Sequence, residues 1–160
     1  MEPRIETIPA KKLVGQNVSM SLTNNKTLEL FRGFMPRRYE VKHLLNTDVI
    51  CMQVYDAGFN FMEFMPHTIH QKWAAVEVSE FDEIPAGMET FELTGGLYAV
   101  FRFKGTAATF GPTFNYIFNT WLPASVYETD TRPHFEVLGA KYKNNHPDSE
   151  EDIYVPIKLK

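Results

Sequence analysis

The stretch RPHFEVLGAKY, residues 132–142, sets a carboxylate, Glu136, in a strand-like run among Phe135, Val137, Leu138 and Tyr142. A glutamate taken out of water costs several kcal/mol unless a cation meets it, so such a residue either has an internal partner or receives a cation from outside. Spacing alone favours the ordinary reading, an ion pair with Arg102 or Arg132 or a solvent-facing edge strand. A second acid near Glu136 would allow general acid-base chemistry, and Glu77, which shares a strand face with Trp73 in KWAAVEV, is the candidate. A solvated edge is the commoner meaning of such a pair. Aromatic walls for a cation could come from Trp121, Tyr98, Phe101, Trp73, Tyr154 and Tyr55, although strand alternation puts only half of any strand's residues on one face.

Other reactive types do not assemble into a catalytic set. Glu63, His67 and His70 are close in sequence but lack a helical i, i+4 histidine pair and a fourth ligand, so no metal is expected. His43, His134 and His146 are scattered, with no serine or cysteine elbow beside them. Cys51 stands alone in the apolar run DVICMQV and reads as core filler, and no glycine-rich phosphate loop is present. No cofactor is implied.

The elements that must position these residues come in two similar sets. LFRGFMP (30–36) overlays IFNTWLP (117–123), Leu30 on Ile117, Phe31 on Phe118, Phe34 on Trp121 and Pro36 on Pro123. Leu28, Phe31 and Met35 recur at helical spacing after Thr23, Asn24 and Asn25, and Phe114, Ile117, Phe118 and Trp121 do so in the second copy. Pro36 and Pro123 should stop or kink both helices. Strand-like runs flank them in the same order: KKLVGQNVSMSL, DVICMQVYD and KWAAVEVSEF in one half, GGLYAVFRFKG, HFEVLGAKY and DIYVPIKLK in the other. Each half therefore reads β-α-β-β, repeats of about 1–82 and 83–160 within one domain spanning 1–160, in an α+β fold with a mostly antiparallel sheet. The same offset lays Glu136 over Val49, so the scaffold accepts an apolar residue where the second half carries the carboxylate. Phe59, Phe61, Met62, Phe64 and Met65 fall in the connection 56–70, as a lid over a cleft or as a subunit contact.

Composition narrows the classes. With 160 residues the chain can bury its own core, and 16 basic against 20 acidic residues give a net charge of -4, the wrong sign for a phosphate backbone. Direct nucleic-acid binding is therefore disfavoured. No apolar run of 18 residues and no signal-like segment occurs, which suits a cytoplasmic protein away from membranes, and a single cysteine suits a reducing compartment.

GLYAVFRFKG, WLPASVYETDTRPHFEVLG and EEDIYVPIK, in this order and spacing, resemble the GyrI-like small-molecule-binding domain, the effector-binding module of AraC-type and MerR-type transcription regulators. The likeness covers essentially the whole chain. It implies two βαββ units related by a pseudo-twofold axis, helices packed on the sheet, and a ligand cleft between the halves. It also implies that Glu136 faces lipophilic, often cationic, ligands among stacked aromatics. In the fused regulators a DNA-binding domain precedes this module, and here residue 1 is already close to the first strand, so a stand-alone version is expected, partnered by a homodimer mate or a separate regulator. The resemblance carries two alternatives: hydrolysis of cyclopropane-bearing compounds, with Glu136 and Glu77 as candidate catalytic acids, and modulation of DNA gyrase through a protein surface.

Overall fold

The computed structural model describes residues 1–160. Nine strands form one antiparallel sheet: β1 Arg4–Ile8, β2 Lys11–Met20, β3 Val49–Val54, β4 His70–Val78, β5 Glu89–Leu93, β6 Gly96–Lys104, β7 Tyr127–Thr129, β8 His134–Leu138 and β9 Glu150–Leu159. Their spatial order is β1-β6-β9-β8-β3-β4-β2-β5, with β7 paired to β9 alone. The order is symmetric about the central β3–β8 pair, as two βαββ units related by a twofold require. One row of register makes the symmetry explicit: Gly15 pairs with Ala75, Ala75 with Ile50, Ile50 with Val137, Val137 with Asp152 and Asp152 with Arg102. Gly15 and Arg102, like Ile50 and Val137, are separated by the offset that overlays the helices, while Asp152 answers Ala75 at a shorter offset, so Glu136 stands where Val49 does in the other half.

Two strands that the sequence pattern did not reveal complete the sheet by exchange. β1 precedes β2 but pairs with β6, while β5 precedes β6 but pairs with β2. Both connections are two residues long, and they cross in contact at Gly95, where a Cβ would lie 2.5 Å from the Ile8 carbonyl oxygen. The crossing draws the two sheet ends together and curls the sheet. Its inner face thereby buries Leu13, Met52, Trp73, Leu93, Tyr98 and Phe135 without any helix over them.

Both helices lie on the outer face. α1, Thr27–Phe34, buries Leu30 and Phe34 rather than the Leu28 that the spacing had suggested, and covers Val14, Val49, Ala74 and Val76. Leu28 is exposed. The chain then tightens into a 3-10 stretch, Met35–Glu40, one residue before Pro36. α2 starts at Gly111–Tyr116, widens through a π-helical turn at Ile117–Trp121 and ends with Leu122–Ala124. Pro123 supplies the cause, since it has no N–H to donate back and its ring crowds the carbonyl of Asn119. α2 seats Ile117, Phe118 and Leu122 on Phe101, Phe103, Ile153, Val155 and Ile157. No helix is long and apolar enough to cross a membrane.

Candidate ligand-binding site

The carboxylate of Glu136 has no arginine partner. Arg102 is held by Asp152 at 2.6 Å and Glu150 at 3.3 Å. Arg132 lies across the Tyr98 ring, 4.7 Å from its centroid, and donates to the carbonyls of Leu97 and Ile157 and to Asp130. Its passage over Gly96, where a Cβ would meet the guanidinium at 2.7 Å, explains a glycine there. The Gln53 side-chain amide donates to Glu136 at 3.1 Å. The two sit on neighbouring strands, Glu136 opposite Cys51 and Gln53 opposite His134.

Register assigns every other candidate to a face. In one row Phe101 pairs with Ile153, Ile153 with Glu136, Glu136 with Cys51 and Cys51 with Ala74, all on the helix-bearing face. Phe101 therefore shares a face with Glu136, and so do Tyr55, Trp121, Lys72 and Glu151. Tyr98, Tyr154 and Trp73 belong to the inner core with Phe135, on the opposite face, and Glu77 accompanies them. The reason is strand alternation: Tyr98 and Phe101 are an odd number of residues apart. The expectation that Glu77 could assist Glu136 is corrected by the same geometry, because the sheet separates them and Lys11 pairs with Glu77 at 3.4 Å.

Beside Glu136 on the outer face lies a nest of rings. Tyr55 stacks with Phe59 at 5.5 Å and meets His134 edge-on at 5.5 Å. Phe61, from the connection 56–69, packs 4.3 Å from His134 and 4.5 Å from Phe118. That connection thus folds Phe59, Phe61 and Phe64 onto its own chain, leaving Met62 and Met65 exposed. Phe61 is buried and held in a short turn capped by the Asn60 side chain. Trp121 sits farther along, edge-on to Phe101 at 5.3 Å and stacked on Tyr127. His67 is exposed, whereas His70 is buried and contacts the Thr68 carbonyl.

Electrostatics on this face are those of a crowded, half-dry patch. Burial pulls the Lys72 ammonium down, but Cys51, Glu136 and Glu151 outweigh it and hold it above its ordinary value. Burial pushes the Cys51 thiol up to about 12 and, with Glu136 adding to it, raises the Tyr55 phenol. Glu151 is raised to about 7, first by burial and then by Glu136, with Lys72 opposing. His134 is lowered to about 3 by burial alone, so its ring is neutral at physiological pH. Lys72, Gln53, His134 and Glu151 were not singled out as site residues from the sequence. Alternation in HQKWAAVEV, which sets Lys72 on the same face as the buried Ala74 and Val76, was the available signal.

Two of the molecule's hollows are lined by residues other than Glu136. One of about 310 Å³ lies at the surface by Phe59, Met62, Asp130 and Lys158. The other, of about 140 Å³, opens on the inner face between Ile50, Phe135, Val137 and Tyr154, with Asp48 and Glu77 on its rim.

Residues 4–157 match the family described as Cass2, integron-associated effector binding protein. The chain belongs to this family. Membership upholds the GyrI-like resemblance and makes the protein an effector-binding module, a small-molecule-binding domain related to transcription regulators. Over 161 residues this Cass2-family chain is 29% identical to the transcriptional regulator BrlR of Pseudomonas aeruginosa; the match covers 98% of the chain but 56% of that regulator's length. Among solved structures it is similar to SAV2435 bound to tetraphenylphosphonium, with a TM-score of 0.69, 15% identity and coverage of 99% and 94% of the two chains. The EcmrR C-terminal domain matches with a TM-score of 0.74 at 10% identity, covering 99% of this chain and 98% of that one. At such identities the two structures speak for the fold.

Proposed function

We propose that this chain captures lipophilic cations on the helix-bearing face, with Glu136 as counter-charge and Tyr55, Phe61 and Phe118 as aromatic walls, for sensing or sequestration linked to transcription regulation. The observation that carries the reading is a half-buried carboxylate with no arginine partner, held in place by Gln53 and set beside a nest of rings. A cation seated there gains Coulomb attraction in a low-dielectric setting and up to about 2 kcal/mol from desolvated ring faces. Phe61 fills the aromatic end in this conformation, so entry requires the connection 56–69 to swing outward. SAV2435, of the same fold and bound to a lipophilic cation, supports the ligand class.

The inner hollow supports a second reading, with Tyr154 stacked on Phe135 at 4.5 Å, Tyr98 and Trp73 behind them, and the acids Asp48 and Glu77 at its mouth. The tryptophans separate the two, because Trp121 lies on the helix-bearing face and Trp73 on the inner one. Tetraphenylphosphonium at about 100 times its dissociation constant adds roughly 2.7 kcal/mol of apparent stability, visible as a thermal shift. The expected result is that Glu136→Gln abolishes the shift and that ligand quenching persists in Trp73→Phe but not in Trp121→Phe. Quenching confined to Trp73, with Glu136→Gln harmless, would move the site to the inner face. Time-dependent loss of an electrophilic small molecule, abolished by Glu136→Gln, would instead mark a hydrolase.

A further inference from the structure

The cation site just proposed contains a charge of its own, and the inference here rests on that site. Lys72 comes from β4 and lies on the same face as Glu136, paired in register with Gln53, whose amide holds the carboxylate. Its ammonium makes no ion pair within 4 Å, yet it is close enough to both Glu136 and Glu151 to be stabilised by them. If Glu136 were the only acid present, Lys72 would cancel it and a bound cation would meet a neutral patch. Glu151 changes the sum. It lies on β9 two residues before Ile153, the residue paired with Glu136, which is the diagonal neighbour position on one face of an antiparallel pair, within reach of long side chains at about 7–8 Å. A separate feature adjoins the pair: His134, two residues from Glu136 on the same face, is 8% exposed, and its ring packs on Phe61 and Tyr55 with no side-chain hydrogen bond.

We propose that the counter-charge of this site is a carboxylate pair, Glu136 with Glu151, of which Lys72 offsets one, so that Glu151 supplies the net negative charge a bound cation meets. The pair also couples binding to a proton. Glu151, raised to about 7 by burial and by Glu136, is half protonated near neutrality and must ionise to contribute. Of the other titratable groups near the patch, the rings of His70 and His134 are lowered by burial, which favours their neutral forms. Lys72 stays charged, while the Cys51 thiol and the phenols of Tyr55 and Tyr142 stay neutral. Cation affinity should therefore rise with pH through the Glu151 transition, releasing a proton as it does so.

Tetraphenylphosphonium titrated calorimetrically into the wild-type chain and its variants tests this. Affinity is expected to rise about fivefold from pH 6 to pH 8, and in buffers of different ionisation enthalpy the wild type releases a fraction of a proton at pH 7. Glu151→Gln should weaken binding about tenfold at pH 8 and remove both the slope and the proton release, while Lys72→Met should tighten it severalfold. Carboxyl NMR of the ligand-free protein supplies a readout independent of Lys72→Met folding: Glu136→Gln should lower the Glu151 titration midpoint toward that of an ordinary glutamate. Binding that needs Glu136 but ignores Glu151 and pH overturns this inference alone. No phosphonium binding by the wild type at any pH overturns the proposed function and this inference together.

Discussion

The floor under α1 and the floor beside α2 occupy equivalent places in the two halves, and only one of them is dry. Under α1 the sheet presents Val49 and Ala74, both buried against Leu30 and Phe34. The symmetry carries Val49 to Glu136 and Ala74 to Glu151, and both of these stay half-exposed. In the first half a helix on an apolar floor makes stability. In the second, the same frame holds two acids, and α2 turns its apolar side to Phe101 and Ile153 instead. The difference teaches that the fold requires a side chain at this place but not a charge, so a charge kept there needs a reason outside folding.

The largest effect comes from copying one floor onto the other. Val49→Glu places a carboxylate under α1, where no polar partner waits, and should cost about 4 kcal/mol or fail to fold, read by urea denaturation. A loss below about 1 kcal/mol would mean that the first half is as open as the second and that the comparison has no content.

A smaller and more diagnostic pair of effects is electrostatic. Glu151 binds its proton more tightly in the folded chain than in the unfolded one, so it adds stability at low pH that is lost as pH rises toward 7. His134 does the opposite: neutral when folded and basic when unfolded, it adds stability above pH 6.5 that is lost as pH falls toward 3. Each amounts to about 2 kcal/mol between pH 5 and pH 7, with opposite sign, so these two contributions nearly cancel across that window. Glu151→Gln should then lose stability on going from pH 7 to pH 5, and His134→Gln should gain it. Parallel, unchanged profiles in both variants would place these side chains in water.

How much of this was legible in the sequence follows from the same alternation. The helices, the two-half plan and the equivalence of Val49 with Glu136 came from the repeat, because apolar spacing and paired prolines are local signals. β1 and β5 did not, since MEPRIETI and METFEL acquire their partners only through exchange between halves, a non-local event. Glu136 could be picked out, but its surroundings could not be assembled. Tyr98, Tyr154 and Trp73 looked like wall residues by type and lie behind the sheet, a parity that counting along each strand would have given only once the register was known. Lys72 and Glu151 escaped because a charged residue in a strand usually faces solvent, and nothing local says that these two face the same patch as Glu136.

The smallest stability effect carries the most information about function. Glu136→Val restores in the second half what the first half already has, and the loss of the Gln53 hydrogen bond is set against removal of a half-buried charge. Since Gln53 is itself buried, its freed amide limits any gain, and the net change should stay within about 1 kcal/mol by thermal unfolding. The Glu151 titration midpoint should fall at the same time, because one of its two raising causes is gone. A chain that loses its cation while keeping its melting temperature would separate the receptor from the scaffold. If Glu136→Val instead unfolds the protein, the carboxylate belongs to the fold after all, the asymmetry between the two floors is structural, and the cation site must be sought on the inner face around Tyr154.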